Sequence, residues 1–316
     1  MGLIPSADDE KVEHSEEQRI NMSKSVLITG SSSGFGNLIA KTLGKDGQII
    51  FATMRGLNSK NAEKAKALSD WAAREGVQLH SLELDVTDDA SVNAAVKQAV
   101  DIAGKIDVVV NNAGILSVGI NESLTTDNVS HLFNVNVLGP FRVVKAALPF
   151  MRKQKSGLFV HVSSVNGRMI VPFTGMYCAT KHALEAFGES LRYDLALQGI
   201  DSVIVQPGAF PTEMGNNIIP GDDAAVLSEY GEMGEILQNF SAGFESLFSG
   251  PDAPNPQDVA DAVKNLIDLP IGKRPLRTVV DKAGEGVEAI NNTAGERQQM
   301  LLAALGMKQL LNPEAG

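Results

Sequence analysis

From residue 25 onward, short and almost uninterrupted apolar runs alternate with stretches in which apolar residues recur every three or four positions. The runs at 26–29, 49–53, 77–84, 106–110, 157–162 and 200–205 have the length of strands. Between them the spacing predicts a helix through Ile39, Ala40 and Leu43, then helices over about 61–74, 90–103 and 126–152. A helix from Tyr177 to about Gln198 and one over 259–269 follow. Strands that are apolar on both sides, separated by amphipathic helices, build a parallel sheet covered on both faces, which is an α/β fold. No tandem repeat is visible.

Two stretches depart from this alternation. Residues 1–22 carry Asp8, Asp9, Glu10, Glu13, Glu16 and Glu17 with almost no apolar content, and read as a disordered acidic leader. They hold no apolar h-region of a secretory signal. Their M-G-x-x-x-S start matches a myristoylation pattern at Gly2, without a polybasic second anchor. Residues 211–255 form an insertion in which Leu237, Phe240, Phe244, Leu247 and Phe248 recur at helical steps. That face is either the core of an enlarged domain or a lid over a cleft, lined further by Leu116, Ile170, Val171, Phe173 and Met214.

Composition narrows the classes. The chain has 316 residues, 43% of them hydrophobic, and a net charge of −11, which argues against nucleic acid or an anionic membrane surface as partner. No apolar run is long enough to span a bilayer. The single cysteine, Cys178, excludes an internal disulfide framework, suits a reducing, cytoplasmic setting and reads as a packing residue. No metal site is indicated.

The chemistry gathers between Ser163 and Lys181. Tyr177 and Lys181 are four apart, so on a helix they share a face. Ser164 follows the run 157–162, and Gly167 and Pro172 mark the loop between. A hydroxyl at a strand end, a phenol and an ammonium can therefore meet in one cleft. At the other end of the chain, Gly30-Ser31-Ser32-Ser33-Gly34-Phe35-Gly36 sits between the first strand and the first helix. There a glycine turn lets backbone N–H groups and the helix dipole approach a pyrophosphate. Methyltransferases carry similar turns.

With these motifs in order, residues 23–280 resemble the short-chain dehydrogenase/reductases of the single-domain type. The carriers of the resemblance are Thr29-Gly30-x-x-x-Gly34-x-Gly36, Leu84-Asp85-Val86-Thr87, Asn111-Asn112-Ala113-Gly114, Asn136-Val137-Leu138-Gly139, the set Ser164, Tyr177 and Lys181, and Pro207-Gly208 with Thr212. The resemblance implies a doubly wound, Rossmann-type sheet of about seven strands in residues 23–316. A helical insertion follows the sixth strand, and a helical extension lies over about 281–311 through Val287, Ile290, Met300, Leu301, Leu302 and Leu305. It implies catalytic Asn136, Ser164, Tyr177 and Lys181, with Tyr177 exchanging a proton with the carbonyl oxygen. Lys181 and the oxidised nicotinamide's charge would favour the phenolate, Ser164 would hold the substrate oxygen, and Asn136 would hold a water beside Lys181. It implies coenzyme contacts from Gly30, Ser31, Ser33, Gly34, Phe35, Gly36, Asp85, Val86, Asn112, Ala113, Gly114, Tyr177, Lys181, Pro207, Gly208 and Thr212. Substrate contacts fall to Ser164, Tyr177, Phe173 and Met214.

An acid after the second strand would bind the ribose 2′-OH and select NAD. That strand ends Thr53-Met54-Arg55-Gly56, so Arg55, aided by Ser31, is expected to meet the 2′-phosphate of NADP(H), with NAD(H) as the alternative. The stretches 51–55, 165–173 and 177–181 look most like the hydroxysteroid and retinol dehydrogenase branch, which handles bulky apolar alcohols and ketones. The expected reaction is NADPH-linked reduction of such a carbonyl by a homodimer, with a tetramer as the alternative assembly. Two other functions stand beside it. A non-catalytic dinucleotide sensor or scaffold would have lost Tyr177 or Lys181, and methyl transfer would leave both idle.

Overall fold

A computed structural model describes residues 23–246, 253–282 and 286–314, so the acidic leader, Leu247 and Phe248 lie outside the described residues, as does the side chain of Phe244. The strands β1 (Ser25–Ile28), β2 (Ile49–Met54), β3 (Leu79–Glu83), β4 (Val108–Asn111), β6 (Gly157–Val162), β7 (Ile200–Pro207) and β9 (Arg277–Val280) form one sheet. Their order is β3-β2-β1-β4-β6-β7-β9. Every neighbouring pair is parallel.

Side chains alternate across the pleat, so one strand feeds both cores. Val26 and Ile28 pack with α1 (Gly34–Lys45), α2 (Ala62–Glu75) and α9 (Gln257–Asp268). Leu27 packs on the opposite face with α3 (Asp89–Ala103), α5 (Gly139–Gln154) and α6 (Gly175–Leu195). After β3 the chain crosses to the other side of β1 to lay down β4. The carboxyl ends of β1 and β4 therefore border a crevice at the topological switch point, where open α/β sheets bind ligands.

The helix expected over 126–152 is divided. Helix α4 (Thr126–Phe133) passes through a π turn, Asn134–Leu138, into α5, and the Gly139 amide bonds back five residues to the Asn134 carbonyl. Pro140 has no N–H to offer the carbonyl four residues earlier, that of Asn136, so the plain α register cannot continue there. Apolar spacing does not register one inserted residue. The Tyr177 helix stops at Leu195, short of Gln198.

Two short strands, β5 (Leu116–Val118) and β8 (Ile218–Pro220), were not legible in the pattern. They pair in parallel in a separate sheet, bringing the start of the insertion to the end of β4. The insertion continues through α7 (Ala224–Glu229) and α8 (Glu232–Ser246). Beyond β9, α10 (Val287–Ala304) buries Val287 and Leu302 and leaves Met300, Leu301 and Leu305 exposed.

Candidate active site

The cleft begins at the turn after β1. Thr29 Oγ1 accepts from the amides of Asn112 and Ala113, each over 3.0 Å, and Asn112 Nδ2 returns a bond of 2.8 Å to the Thr29 carbonyl. This exchange welds the ends of β1 and β4. Gly30 has φ +70°, and a Cβ there would stand 2.9 Å from Ala113 Cα. A Cβ on Gly36 would run into the Gly30 carbonyl oxygen and lie 2.5 Å from Asn112 Nδ2. Glycine is required at both because the turn, the helix start and the β4 end share one space.

A cavity of about 320 Å³ opens from this turn. Gly30, Ser32, Ser33, Gly34, Phe35, Asn112, Ala113, Gly114 and Ile115 line its middle, Leu84, Asp85 and Val86 one wall, and Thr212 and Met214 its roof. The cavity ends on Arg55, Lys60, Asn61 and Lys64. The main chain carrying Arg55 is fixed by Glu83, whose two oxygens accept from the Gly56 and Leu57 amides at 2.7 and 2.6 Å. Asn61 Nδ2 donates to the Arg55 carbonyl over 2.7 Å. Lys64 forms an exposed ion pair with Glu213 across the mouth. A glycine-lined middle, with helix N–H groups and a cationic end, suits a dinucleotide whose phosphates lie along it.

Asp85 borders the cationic end. Burial works upward on its carboxyl, but the two bonds from Thr87 and the charges of Arg55 and Lys60 outweigh it and hold the carboxyl below the usual range.

Among the expected coenzyme contacts, Ser31, Pro207 and Gly208 are engaged by other parts of the fold. Ser31 is fully buried and its hydroxyl donates to the Ile28 carbonyl over 3.0 Å, so it does not reach the cationic end; Ser32 lines the cavity instead. Pro207 accepts from Ser164 Oγ at 3.3 Å, and Gly208 packs on Asp281, where a Cβ would collide with the carboxyl. These two hold the ends of β6, β7 and β9 together rather than lining the cavity.

Ser164, Tyr177 and Lys181 come together where α6 crosses the end of β6. Tyr177 is 7% and Lys181 3% exposed. Lys181 Nζ donates to the Val162 carbonyl over 3.0 Å and lies 5.6 Å from the centre of the Tyr177 ring. Ser164 Oγ accepts from the Asn166 amide at 3.1 Å. Burial pushes the Tyr177 phenol up, against the opposing effect of the neighbouring Ser164 hydroxyl. Burial also lowers Lys181 to about 8, against the charge of Glu185. Without coenzyme the phenol is thus a neutral acid, because burial outweighs the groups that would favour the phenolate.

Asn136 is buried at the π turn. Both of its amide hydrogens are committed, to the Ile115 carbonyl at 2.9 Å and to Thr180 Oγ1 at 3.0 Å, while Oδ1 accepts from the Ile115 amide at 2.9 Å. One acceptor position on Oδ1 remains. It faces Gly114, where a Cβ would stand 3.4 Å from Oδ1 and 3.8 Å from Lys181 Nζ.

Beside this set, Phe173 holds φ +63°, an uncommon backbone state for an aromatic residue, fixed by a 2.8 Å bond from the Gly119 amide to its carbonyl. Its ring meets Phe240 of α8 with centroids 5.4 Å apart. Tyr230 donates to Glu122 over 2.7 Å, tying the insertion to the segment after β5. Cys178 is buried against Thr174. Lys60, Lys64, Ile115, Thr180 and Glu185 escaped the sequence reading. Only Lys60 and Lys64, a helical step apart just beyond Arg55, left a trace there.

The family model described as short chain dehydrogenase matches residues 24–223. The chain is 33% identical over 266 residues to the uncharacterized oxidoreductase YusZ of Bacillus subtilis, covering 79% of this chain and 89% of that protein. It is 35% identical over 255 residues to human retinol dehydrogenase 8, covering 77% and 78%. It is 35% identical over 242 residues to mouse 17-beta-hydroxysteroid dehydrogenase type 1, covering 75% and 68%. Among solved structures, a short-chain dehydrogenase from Streptomyces avermitilis superposes with TM-score 0.69 at 29% identity, covering 90% of this chain and 98% of that one. Actinorhodin polyketide ketoreductase with NADPH superposes with TM-score 0.67 at 27% identity, covering 83% and 96%. Among the described residues no helix is long and apolar enough to cross a membrane. The matches agree with the glycine-lined cleft and the clustered Ser164, Tyr177 and Lys181: this chain belongs to the short-chain dehydrogenase family, oxidoreductases of Rossmann-type fold that work with a nicotinamide dinucleotide.

Proposed function

We propose that the protein reduces a bulky apolar ketone or aldehyde with NADPH. The observation that carries this reading is a cavity that ends on three cations, Arg55, Lys60 and Lys64, and whose Gly114 wall backs onto Asn136 and onto Lys181 of the buried set Ser164, Tyr177 and Lys181. No carboxylate follows β2 to take a ribose 2′-OH, and a guanidinium with two ammonium groups suits a 2′-phosphate. The bound nicotinamide supplies the hydride that goes to the carbonyl carbon. Ser164 turns its hydroxyl from the Pro207 carbonyl to the substrate oxygen and holds it near Tyr177. Tyr177, kept protonated by burial, donates its proton to that oxygen as negative charge develops there. Lys181 stabilises the phenolate left behind, and the free acceptor on Asn136 Oδ1 can hold a water that returns the proton beside Lys181. Phe173, Met214 and Phe240 give the substrate side its apolar surface. The retinol and hydroxysteroid dehydrogenases among the relatives support a substrate of that bulk. Leu138 and Phe141, 47% and 48% exposed on the π turn and α5, offer an apolar face to the expected homodimer.

Turnover of a polyenal, a steroid ketone and a small ketone with NADPH and with NADH tests this. The bulky carbonyls with NADPH are expected to be preferred. Tyr177→Phe is expected to lower kcat by about 10²- to 10⁴-fold with NADPH affinity held within a few-fold. Residual activity above about a tenth of wild type removes Tyr177 as the acid. NADPH binding without turnover of any carbonyl favours the scaffold reading.

A further inference from the structure

Glu185 lies one turn beyond Lys181 on α6, is 1% exposed, and has no part in the chemistry above. A carboxylate withdrawn from water needs a cation and hydrogen bonds around it. Arg277 of β9 donates Nε–H to Oε2 over 2.7 Å, and Gln206 of β7 donates from Nε2 to Oε1 over 3.0 Å. The other arm of Arg277 reaches Glu189 at 2.6 Å. Gly167, in the turn after Ser164, makes the room: a Cβ there would stand 2.8 Å from both Glu185 Cγ and Ser163 Oγ.

The C-terminal helix completes the arrangement. Asn291 of α10 donates Nδ2–H to Gln206 Oε1 over 2.7 Å. With its oxygen held from that side, the Gln206 amide can turn only its N–H groups toward Glu185. A rotated amide would set oxygen against oxygen. The last helix is thus linked to the interior of α6 through two side chains.

The titratable groups around Lys181 are Tyr177, Cys178 and Glu185 on its own helix. From β6 it meets the Val162 carbonyl, while His161 is buried and directed to Asn111. Arg168, from the turn after Ser164, and Arg277 bear on Glu185 and Glu189. Glu185 is therefore the nearby anion that opposes the effect of burial on Lys181.

We propose that Glu185 is a positioning residue for the catalytic lysine: its carboxylate, clamped by Arg277 and Gln206, keeps Lys181 an ammonium, and α10 maintains the clamp through Asn291. The proposal rests on the reading of Lys181 as catalytic and adds a residue outside the Ser164, Tyr177, Lys181 and Asn136 set. With Lys181 at about 8, roughly nine-tenths of the molecules carry the ammonium at pH 7. Lys181 and Glu185 share a face of α6 as an i, i+4 pair, and loss of an opposite charge on the neighbouring turn lowers such a midpoint by about one pH unit, leaving about half.

The test is a ¹³C NMR titration of the full chain labelled at lysine Cε, without coenzyme or substrate, with the Lys181 signal identified by its loss in Lys181→Met. Wild type is expected to titrate near 8. Glu185→Gln is expected to move the midpoint down by about one pH unit. Glu185→Asp, which restores the charge, is expected to return most of that movement, and Asn291→Leu to produce a smaller step in the same direction. A folded Glu185→Gln that titrates with wild type overturns the proposal, and an unmoved Asn291→Leu overturns the part given to α10. Should Glu185→Gln not fold, Glu185→Gln/Arg277→Gln replaces the buried ion pair by a neutral pair of similar size, a change interiors tolerate. A smaller downward movement is expected from it, because the Arg277 charge is removed with the carboxylate it holds; an unmoved midpoint again overturns the proposal. Failure of the reductase reading shows separately, as absent turnover with an intact titration.

Discussion

At the coenzyme end of the cleft, shape is made by main chain: the Gly30 turn, the start of α1 and the Asn112–Thr29 exchange leave no space for side chains. At the substrate end, shape is made by side chains from distant segments, Phe173 meeting Phe240 and Tyr230 meeting Glu122. The first end suits one chemical group, a pyrophosphate, and its Gly30 and Gly36 leave no room for a side chain. The second can be rebuilt by exchanging side chains while the sheet below stays unchanged. A fold can therefore keep one coenzyme while its substrates diverge.

Gly36→Ala should break the main-chain end with the largest effect. The added methyl meets the Gly30 carbonyl and Asn112 Nδ2, so NADPH and NADH are both expected to weaken by at least about a hundredfold, close to 3 kcal/mol. Fluorescence titration of the two coenzymes measures this. A loss confined to one coenzyme, or none, would show that the turn yields where its packing says it cannot.

Arg55→Ala probes the one place where side chains decide the coenzyme end. A charge-assisted bond is worth about 1.5–3 kcal/mol, so NADPH is expected to weaken about ten- to a hundredfold with NADH nearly unchanged. The difference between the two coenzymes is the readout. Equal weakening would assign Arg55 to the loop that Glu83 holds rather than to the phosphate.

The smallest effect is expected at the substrate end. Phe240→Ser removes the ring that meets Phe173, and should raise KM for the preferred bulky carbonyl several-fold more than for a small one. Thermal melting decides between the alternatives: an unchanged Tm with a raised KM marks a covering helix, whereas a collapse in Tm with unchanged KM marks core.

How much was legible follows the same division. The alternation of strand and helix from Val26 to Val205 was readable because apolar spacing reports burial directly. The clustering of Ser164, Tyr177 and Lys181 was readable because a helical step and a strand end bring them together, and the Gly30–Asn112 turn because main-chain geometry admits few residue types there. Lys60 and Lys64 were visible as cations but silent about direction until the turn before α2 and its first turn set them on the cavity beside Arg55. The misplacement of Ser31 has the same root. Its hydroxyl looked free in the sequence, and only the fold showed it bonded to Ile28.

By itself, then, the sequence determined the parallel sheet and the glycine turn, since each follows from local spacing or from the needs of one chemical group. It also singled out Ser164, Tyr177 and Lys181 as the group to which the proposed proton transfer is given. The tertiary structure alone decided the rest. It divided the α4–α5 helix at the π turn, where Asn136 bonds Ile115 and Thr180. It paired β5 with β8 and set Phe240 against Phe173. It also joined Arg277, Gln206 and Asn291 around Glu185. Contacts between residues this far apart in sequence leave no periodicity, because loop closure, packing and charge pairing select them only once the chain is folded.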